Sequence, residues 1–210
     1  MTAVWIVLAF LSGSCMFSYW LGLLARKNLK TVGDGNPGAF NLWRAAGYKF
    51  GMAGVALDFL KGYLPLALVK ENGYVRHEDI VFVAIAPILG HAFSPFLKFK
   101  GGKSIAVTFG VWSALTRFEV SLVYAVILAL LIVVARTINK GKPTSSEADG
   151  FQVVFGMLLV SVYLYERAFP SEIIWVWFGN FVLLVYTHRH ELSVFVKGVV
   201  QRWGSSGPCK

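Results

Sequence analysis

Residues 2–25, TAVWIVLAFLSGSCMFSYWLGLLA, contain no Asp, Glu, Lys or Arg. A hydrocarbon core about 30 Å thick needs roughly 17–25 mostly apolar residues per helix, so this stretch alone is long enough to cross a bilayer. It has no basic residue ahead of its apolar core and no clear small-residue cleavage site, and it reads as a retained span rather than a leader. Further apolar runs cover residues 51–69, 79–97, 105–116, 119–138, 151–165 and 172–187, separated by polar or Gly/Pro-containing breaks. Seven spans are expected, the fourth and sixth short enough to need tilt or local thinning of the bilayer.

Composition points the same way. Of 210 residues 56% are hydrophobic and 15% charged, and the mean hydropathy is +0.61, far above a soluble domain. With no internal repeat and no low-complexity tract, residues 1–210 are expected to form one integral all-α domain. Cys15 and Cys209 are too few and too far apart for a metal site or a disulfide framework.

A net charge of +9 raises the question of nucleic acid, and the placement of the basic residues answers it. Fifteen of the 20 Lys and Arg fall in alternate connections: Arg26, Lys27, Lys30, Arg44 and Lys49 in the first, Lys98, Lys100 and Lys103 in the third, Arg136, Lys140 and Lys142 in the fifth, and Arg189, Lys197, Arg202 and Lys210 in the tail. Only Lys70, Arg76, Arg117 and Arg167 occupy the others. Basic residues resist translocation and are held by an anionic leaflet, so this alternation predicts seven crossings, an outside N-terminus and a cytoplasmic C-terminus, with membrane lipids rather than nucleic acid as the partner.

The polar residues that could carry chemistry lie mostly at that inner face. Gly33-Asp34-Gly35-Asn36-Pro37-Gly38-Ala39-Phe40-Asn41, followed by Arg44, has glycines that let backbone amides approach a ligand, with Asn and Arg as donors. That suits a phosphate, and a plain glycine-rich turn would look the same. Phe99-Lys100-Gly101-Gly102-Lys103-Ser104 precedes an apolar helix, placing amides of a helix N-terminus beside two lysines. It is not a Walker A loop, because Leu97 stands where that pattern requires Gly. Asp58 and Lys61, three apart inside a span, share a helix face and can neutralise each other. His91 lies near the inner end of the third span, and His188 and Glu191 close the seventh.

Taken together these segments resemble the bacterial acyl-phosphate:glycerol-3-phosphate acyltransferases of the PlsY type. The likeness rests on Gly13-Ser14 with Phe17 to Gly22, Gly35-Asn36-Pro37-Gly38-Ala39 with Asn41 and Arg44, Asp58 with Lys61-Gly62, Gly90-His91 through Pro95-Phe96, Phe99 to Lys103, and His188-Arg189 with Gly198. The resemblance implies a seven-helix enzyme of the bacterial inner membrane that works on the cytoplasmic side without metal or other cofactor. It would move a fatty acyl group from acyl-phosphate to the 1-hydroxyl of glycerol 3-phosphate and form lysophosphatidic acid. His91, His188, Lys103 and Arg44 are then the expected catalytic residues. Ser14, Asp34, Gly35, Asn36, Gly38, Asn41, Lys61, Gly101 and Gly102 are the expected substrate-binding residues.

The chain departs from the family pattern at Asp34 for serine, Phe40 for threonine, Ser104 for glycine, Glu191 for asparagine and Val200 for glutamate. A carboxylate beside a phosphate repels it where a hydroxyl would donate a hydrogen bond. A relative that binds a lipid phosphate without catalysis, or acylates a different acceptor, therefore stays open as an alternative. A transporter is disfavoured by spans that carry little charge beyond Asp58 and Lys61. The sequence leaves acyl chain length and oligomeric state open.

Overall fold

The computed structural model describes residues 2–76 and 78–205; Cys209 and Lys210, named above, lie outside them, as does the side chain of Arg202. Every regular element among the described residues is helical. In chain order these are α1 (Thr2–Ser14), α2 (Phe17–Leu24), α3 (Ala39–Ala46), α4 (Tyr48–Asn72), α5 (Ile80–Ala92), α6 (Ile105–Thr116), α7 (Glu119–Ile138), α8 (Ser146–Glu166), α9 (Ser171–Thr187) and α10 (Arg189–Ser205). Short 3-10 turns sit at Leu29–Thr31 and Pro95–Leu97. Five stretches are long and apolar enough to cross a membrane, namely Thr2–Leu24, Tyr48–Asn72, Ile80–Leu97, Glu119–Ile138 and Ser146–Glu166, while α6 and α9 are shorter apolar helices.

The bundle is held where backbones come close. In α4 and α6 a β-carbon on Gly62 would stand 2.5 Å from the Val107 carbonyl oxygen, and one on Gly110 would stand 2.1 Å from that of Phe59. Only glycine permits this approach from both sides, as expected where apolar surroundings give helices no hydrophobic reason to associate. Trp112, fully buried, donates from Nε1 to Asn180 Oδ1 at 2.9 Å, and Asn180 donates on to Thr108 Oγ1 at 3.1 Å, stitching α6 to α9. The outer face of α7 carries Leu122, Val126, Leu130 and Val133 exposed, as a lipid-facing helix requires.

The first apolar run is two helices, not one. At Cys15–Met16 the chain breaks, and the Asp58–Lys61 pair of α4 fills the break. Lys61 Nζ lies 2.8 Å from Asp58 Oδ1 and donates to the Cys15 carbonyl at the end of α1. Asp58 Oδ2 accepts from Ser18 in the first turn of α2. A cation thus meets a helix C-terminus and an anion a helix N-terminus, the orientation that each end of the peptide dipole favours. Two further elements escape hydropathy reading. Short α3 occupies what reads as loop, and α10 continues the chain after a one-residue break at His188. Helix α8 begins five residues before the apolar run at 151, because Ser145 accepts from the Ala148 amide and caps it, whereas Glu147 and Asp149 hide the start from a hydropathy count.

Replacing Lys61 by Met would strand the buried Asp58 carboxylate, and we expect the unfolding free energy in detergent to fall by about 3–5 kcal/mol. The double variant Asp58→Asn, Lys61→Met should regain most of that loss, and thermal unfolding of the two proteins side by side checks it.

Candidate functional site

Backbone geometry fixes the first side of the site. Gly33 and Gly35 adopt φ of +57° and +73°, left-handed conformations that reverse the chain around Asp34. The Asp34 carboxylate gathers the loop beneath it: Oδ1 accepts from Asn41 Nδ2 at 2.7 Å and from the Asn36 amide at 3.1 Å. Asn41 Nδ2 also donates to the Asn36 carbonyl at 3.0 Å. Both donors of this buried side chain are therefore spent on the loop, which ends at Gly38 as the N-cap of α3.

The second side is the connection from α5 to α6. Lys98, Phe99 and Ser104 take φ of +55°, +59° and +62°, strained for residues with a side chain and held only by what surrounds them. The Gly101 and Gly102 amides donate to the Ala92 and His91 carbonyls at 3.1 and 3.0 Å. They finish α5 and are not the open amides expected from sequence. Their glycine identity serves close packing: a β-carbon on Gly101 would stand 1.8 Å from the His91 carbonyl oxygen, and one on Gly102 would stand 2.4 Å from His91 Nε2 and 3.1 Å from Asn36 Oδ1. The amides that lack an intrahelical partner are those of the first turns of α6 and α3.

Lys103 joins the two sides to the tail. Its ammonium lies 2.6 Å from Asp34 Oδ2 and 2.8 Å from Glu191 Oε1, the latter in the first turn of α10. Burial works against each charge, but it is outweighed. The hydrogen bonds with Asp34 and Glu191 hold Lys103 above the ordinary lysine value. Lys103, the Asn36 amide and Asn41 hold Asp34 below the ordinary carboxylate value, and Lys103 does the same for Glu191. The two carboxylates that looked hostile to a phosphate are thus engaged with a cation.

Two buried histidines flank Lys103. His188 caps α9, and its Nδ1 lies 2.9 Å from the Leu184 carbonyl. A carbonyl can only accept, so Nδ1 carries the proton and Nε2 presents a lone pair. Nε2 is buried without a hydrogen-bond partner, while Cδ2 beside it lies against Gly150 of α8, where a β-carbon would approach to 3.4 Å. Burial, helped by the nearby Lys103 charge, pushes the His188 imidazole below its ordinary value even against the Leu184 hydrogen bond. His91 is also buried, with Nδ1 unpartnered.

Three hollows meet at Lys103. A cleft of about 710 Å³ is lined by Lys30, Lys100, Lys103 and Arg189, with Asp34, Gly35, Asn36, Gly101 and Gly102. A cavity of about 320 Å³ is lined by His91, Asp58, Asn36, Gly38 and Lys103 together with Val55, Phe109 and the start of α6 at Ile105. A cavity of about 250 Å³ holds His188, Asp34, Asn41, Ser146, Asp149 and Gly150. Most of the expected catalytic and substrate-binding residues converge here, and three of them do not line these hollows. Ser14 is buried, donates to the Phe10 carbonyl and packs against Gly90. Lys61 is committed to Asp58 and Cys15. Arg44 is exposed, with its guanidinium stacked 4.3 Å from the Phe40 ring centre. Sequence reading missed Lys30 and the start of α8; Ser145 ahead of Glu147 and Asp149 was the available signal for the latter.

Residues 3–198 match the family Glycerol-3-phosphate acyltransferase. The Glycerol-3-phosphate acyltransferase 1 of Thermotoga maritima is 42% identical over 92% of this chain and 97% of its own length. That of Maridesulfovibrio salexigens is 31% identical over 95% of each. Crystal structures of PlsY, an integral membrane glycerol 3-phosphate acyltransferase, superpose at TM-scores of 0.81 for the glycerol 3-phosphate form and 0.80 for the lysophosphatidic acid form, with 25% identity over 94% of this chain and 92% of theirs.

A methyl group on Gly101 meets rigid backbone, whereas one on Gly102 meets a side chain that can turn. We expect Gly101→Ala to cost about 3 kcal/mol and Gly102→Ala about 1 kcal/mol, an order that thermal unfolding of the two variants checks.

Proposed function

The chain belongs to the glycerol-3-phosphate acyltransferase family, and on that footing we propose that it moves a fatty acyl group from acyl-phosphate to the 1-hydroxyl of glycerol 3-phosphate, giving lysophosphatidic acid. The observation that carries the mechanism is the unpartnered Nε2 lone pair of His188, oriented by Leu184 and set beside Lys103. Glycerol 3-phosphate enters the open cleft, where Lys30, Lys100 and Arg189 supply the charge its phosphate needs. Its 1-hydroxyl reaches His188, which takes the proton as the oxygen attacks the acyl carbon.

The donor fits the cavity whose lining combines Asn36, His91 and Lys103 with Val55, Ile105 and Phe109. Its phosphate lies toward Lys103 and the open amides of α3 and α6, its chain past Val55 and Phe109. Phosphate departs as the carbon–oxygen bond breaks, and the same cation and amides neutralise the charge that develops. Asn36 and Gly38 shape the floor between donor and acceptor, and Gly35, Gly101 and Gly102 line the cleft. Asp34 and Asn41 keep the loop in place, and Ser14 and Lys61 hold the helices behind it. Arg44 adds positive charge at the rim. No cofactor enters these steps.

The same reading gives seven crossings in one domain, with α6 and α9 as the short spans, in a bacterial inner membrane. Its support is the placement of the connections. Those rich in Lys and Arg contribute Lys30, Lys103, Ser146 and Arg189 to one site. The sparse ones pair among themselves, Arg167 with Glu119 and Arg76 with Asp79. Positive charge stays inside, so the site faces the cytoplasm and the N-terminus lies outside.

Purified protein in lipid, given acyl-phosphate and labelled glycerol 3-phosphate, should yield lysophosphatidic acid; no product at any pH would overturn the assignment. Because His188 is held below its ordinary value, its neutral form persists into mildly acidic solution. The rate should therefore stay level from pH 8 to below about 6.5 and fall only as pH drops through the lowered value. In His188→Gln that acid limb should vanish together with most of the rate, by about 10²–10⁴-fold.

A further inference from the structure

Glycerol 3-phosphate has two ends with opposite needs: a phosphate that accepts hydrogen bonds and attracts positive charge, and hydroxyls that can donate. The cleft that takes the phosphate and the cavity that holds His188 share three lining residues among those described, Asp34, Asn36 and Lys103. A ligand with its phosphate among Lys30, Lys100 and Arg189 and its 1-hydroxyl at His188 therefore lays its middle carbon, and the 2-hydroxyl on it, against these three. Neither Lys103 nor Asn36 tells a hydroxyl from a ketone at that carbon: an ammonium donates to either oxygen, and an amide both donates and accepts.

Asp34 is different. Its Oδ1 accepts from Asn41 Nδ2 and the Asn36 amide, and its Oδ2 accepts from Lys103. A carboxylate offers about four acceptor positions, so one on Oδ2 remains, and the side chain is 27% exposed at the cleft. Against the effect of burial, its bonds to Lys103, the Asn36 amide and Asn41 hold the carboxyl below its ordinary value, so at neutral pH it has no proton to donate. Its charge also orients the ligand. The carboxylate repels the phosphate and leaves it to the cations of the cleft, while the same charge strengthens a hydrogen bond from a hydroxyl. Resting on the acyl-transfer reading above, we infer that Asp34 is a specificity residue: its Oδ2 accepts the 2-hydroxyl of the acceptor, so the protein selects a phosphorylated alcohol with a hydroxyl beside the reacting one and rejects one with a ketone, or with no oxygen, at that carbon. A carboxylate that only held the loop and Lys103 would affect all such acceptors alike.

Three acceptors test this on full-length protein in lipid with acyl-phosphate: glycerol 3-phosphate, dihydroxyacetone phosphate and 3-hydroxypropyl phosphate, each scored by kcat/KM for the acyl ester formed. The unsubstituted protein should prefer glycerol 3-phosphate to 3-hydroxypropyl phosphate by about 10²-fold, the order expected when a charged group loses its hydrogen bond. Its preference over dihydroxyacetone phosphate should be larger still, because the ketone oxygen meets the carboxylate lone pair to lone pair. In Asp34→Asn the amide oxygen has to stay with the donors Asn41 Nδ2 and the Asn36 amide, so its NH₂ takes the place of Oδ2. The preference over the ketone should then fall by about tenfold or more, while that over 3-hydroxypropyl phosphate moves less. Asp34→Ser, whose hydroxyl donates and accepts, should keep glycerol 3-phosphate as the best acceptor by a smaller margin. Similar kcat/KM for all three acceptors in the unsubstituted protein, a comparison that needs no variant to fold, overturns the inference, as does an Asp34→Asn variant that slows all three by one common factor. Failure of the unsubstituted protein to form any lysophosphatidic acid would instead overturn the function on which it rests.

Discussion

The ammonium of Lys103, held between the carboxylates of Asp34 and Glu191, is the contact on which the site depends. It ties three segments far apart in sequence: the glycine loop ahead of α3, the connection into α6, and the start of α10. Without it the two acids would face each other in a half-buried space, where like charges repel strongly. Two acids and one base leave the cluster one negative charge. The compensating positive potential comes from the N-termini of α3 and α6 and from Lys30, Lys100 and Arg189. A phosphate therefore meets a balanced surface rather than a bare lysine.

Much of this was legible in the sequence, and the reasons differ by element. Long apolar helices such as α7 announce themselves, since a run like 119–138 has no other stable arrangement, and its observed ends are those expected. The alternation of basic residues grouped the four connections that share the site. The loop residues around Gly35 and Gly102 stood out by type, because glycine, asparagine and lysine together are rare beside an apolar helix. What stayed hidden depends on three-dimensional pairing. The break between α1 and α2 is created by Lys61 and Asp58 from another helix. Helix α3 has eight residues, about two turns, so its apolar face is too short to stand out from the glycine loop that precedes it. The use of the Gly101 and Gly102 amides follows from where α5 ends, and α5 ends at Ala92 only because those amides are there to close it. Asp34 and Glu191 looked like liabilities one at a time, and neither residue type reveals that a single lysine serves both.

The same contacts explain how a polar site can sit at an apolar bundle's edge. Helix α6 has 12 residues, about 18 Å at the usual rise per residue. The non-helical segment before it can thus lie below the level reached by longer neighbours. Irregular backbone is tolerated at such depth only where its polar groups are paired or line a cavity. Both conditions are met: Gly101 and Gly102 pair with α5, and the remainder faces the hollows around Lys103.

The most direct measurement of the central claim is a crystal structure of this protein with glycerol 3-phosphate bound. The account predicts the phosphate in the cleft between the Asp34 loop and Arg189, and the 1-hydroxyl within hydrogen-bond distance of His188 Nε2, roughly 2.6–3.2 Å. Saturating ligand with that cleft unoccupied, or phosphate bound at the opposite end beside Arg117 and Arg167, would contradict it.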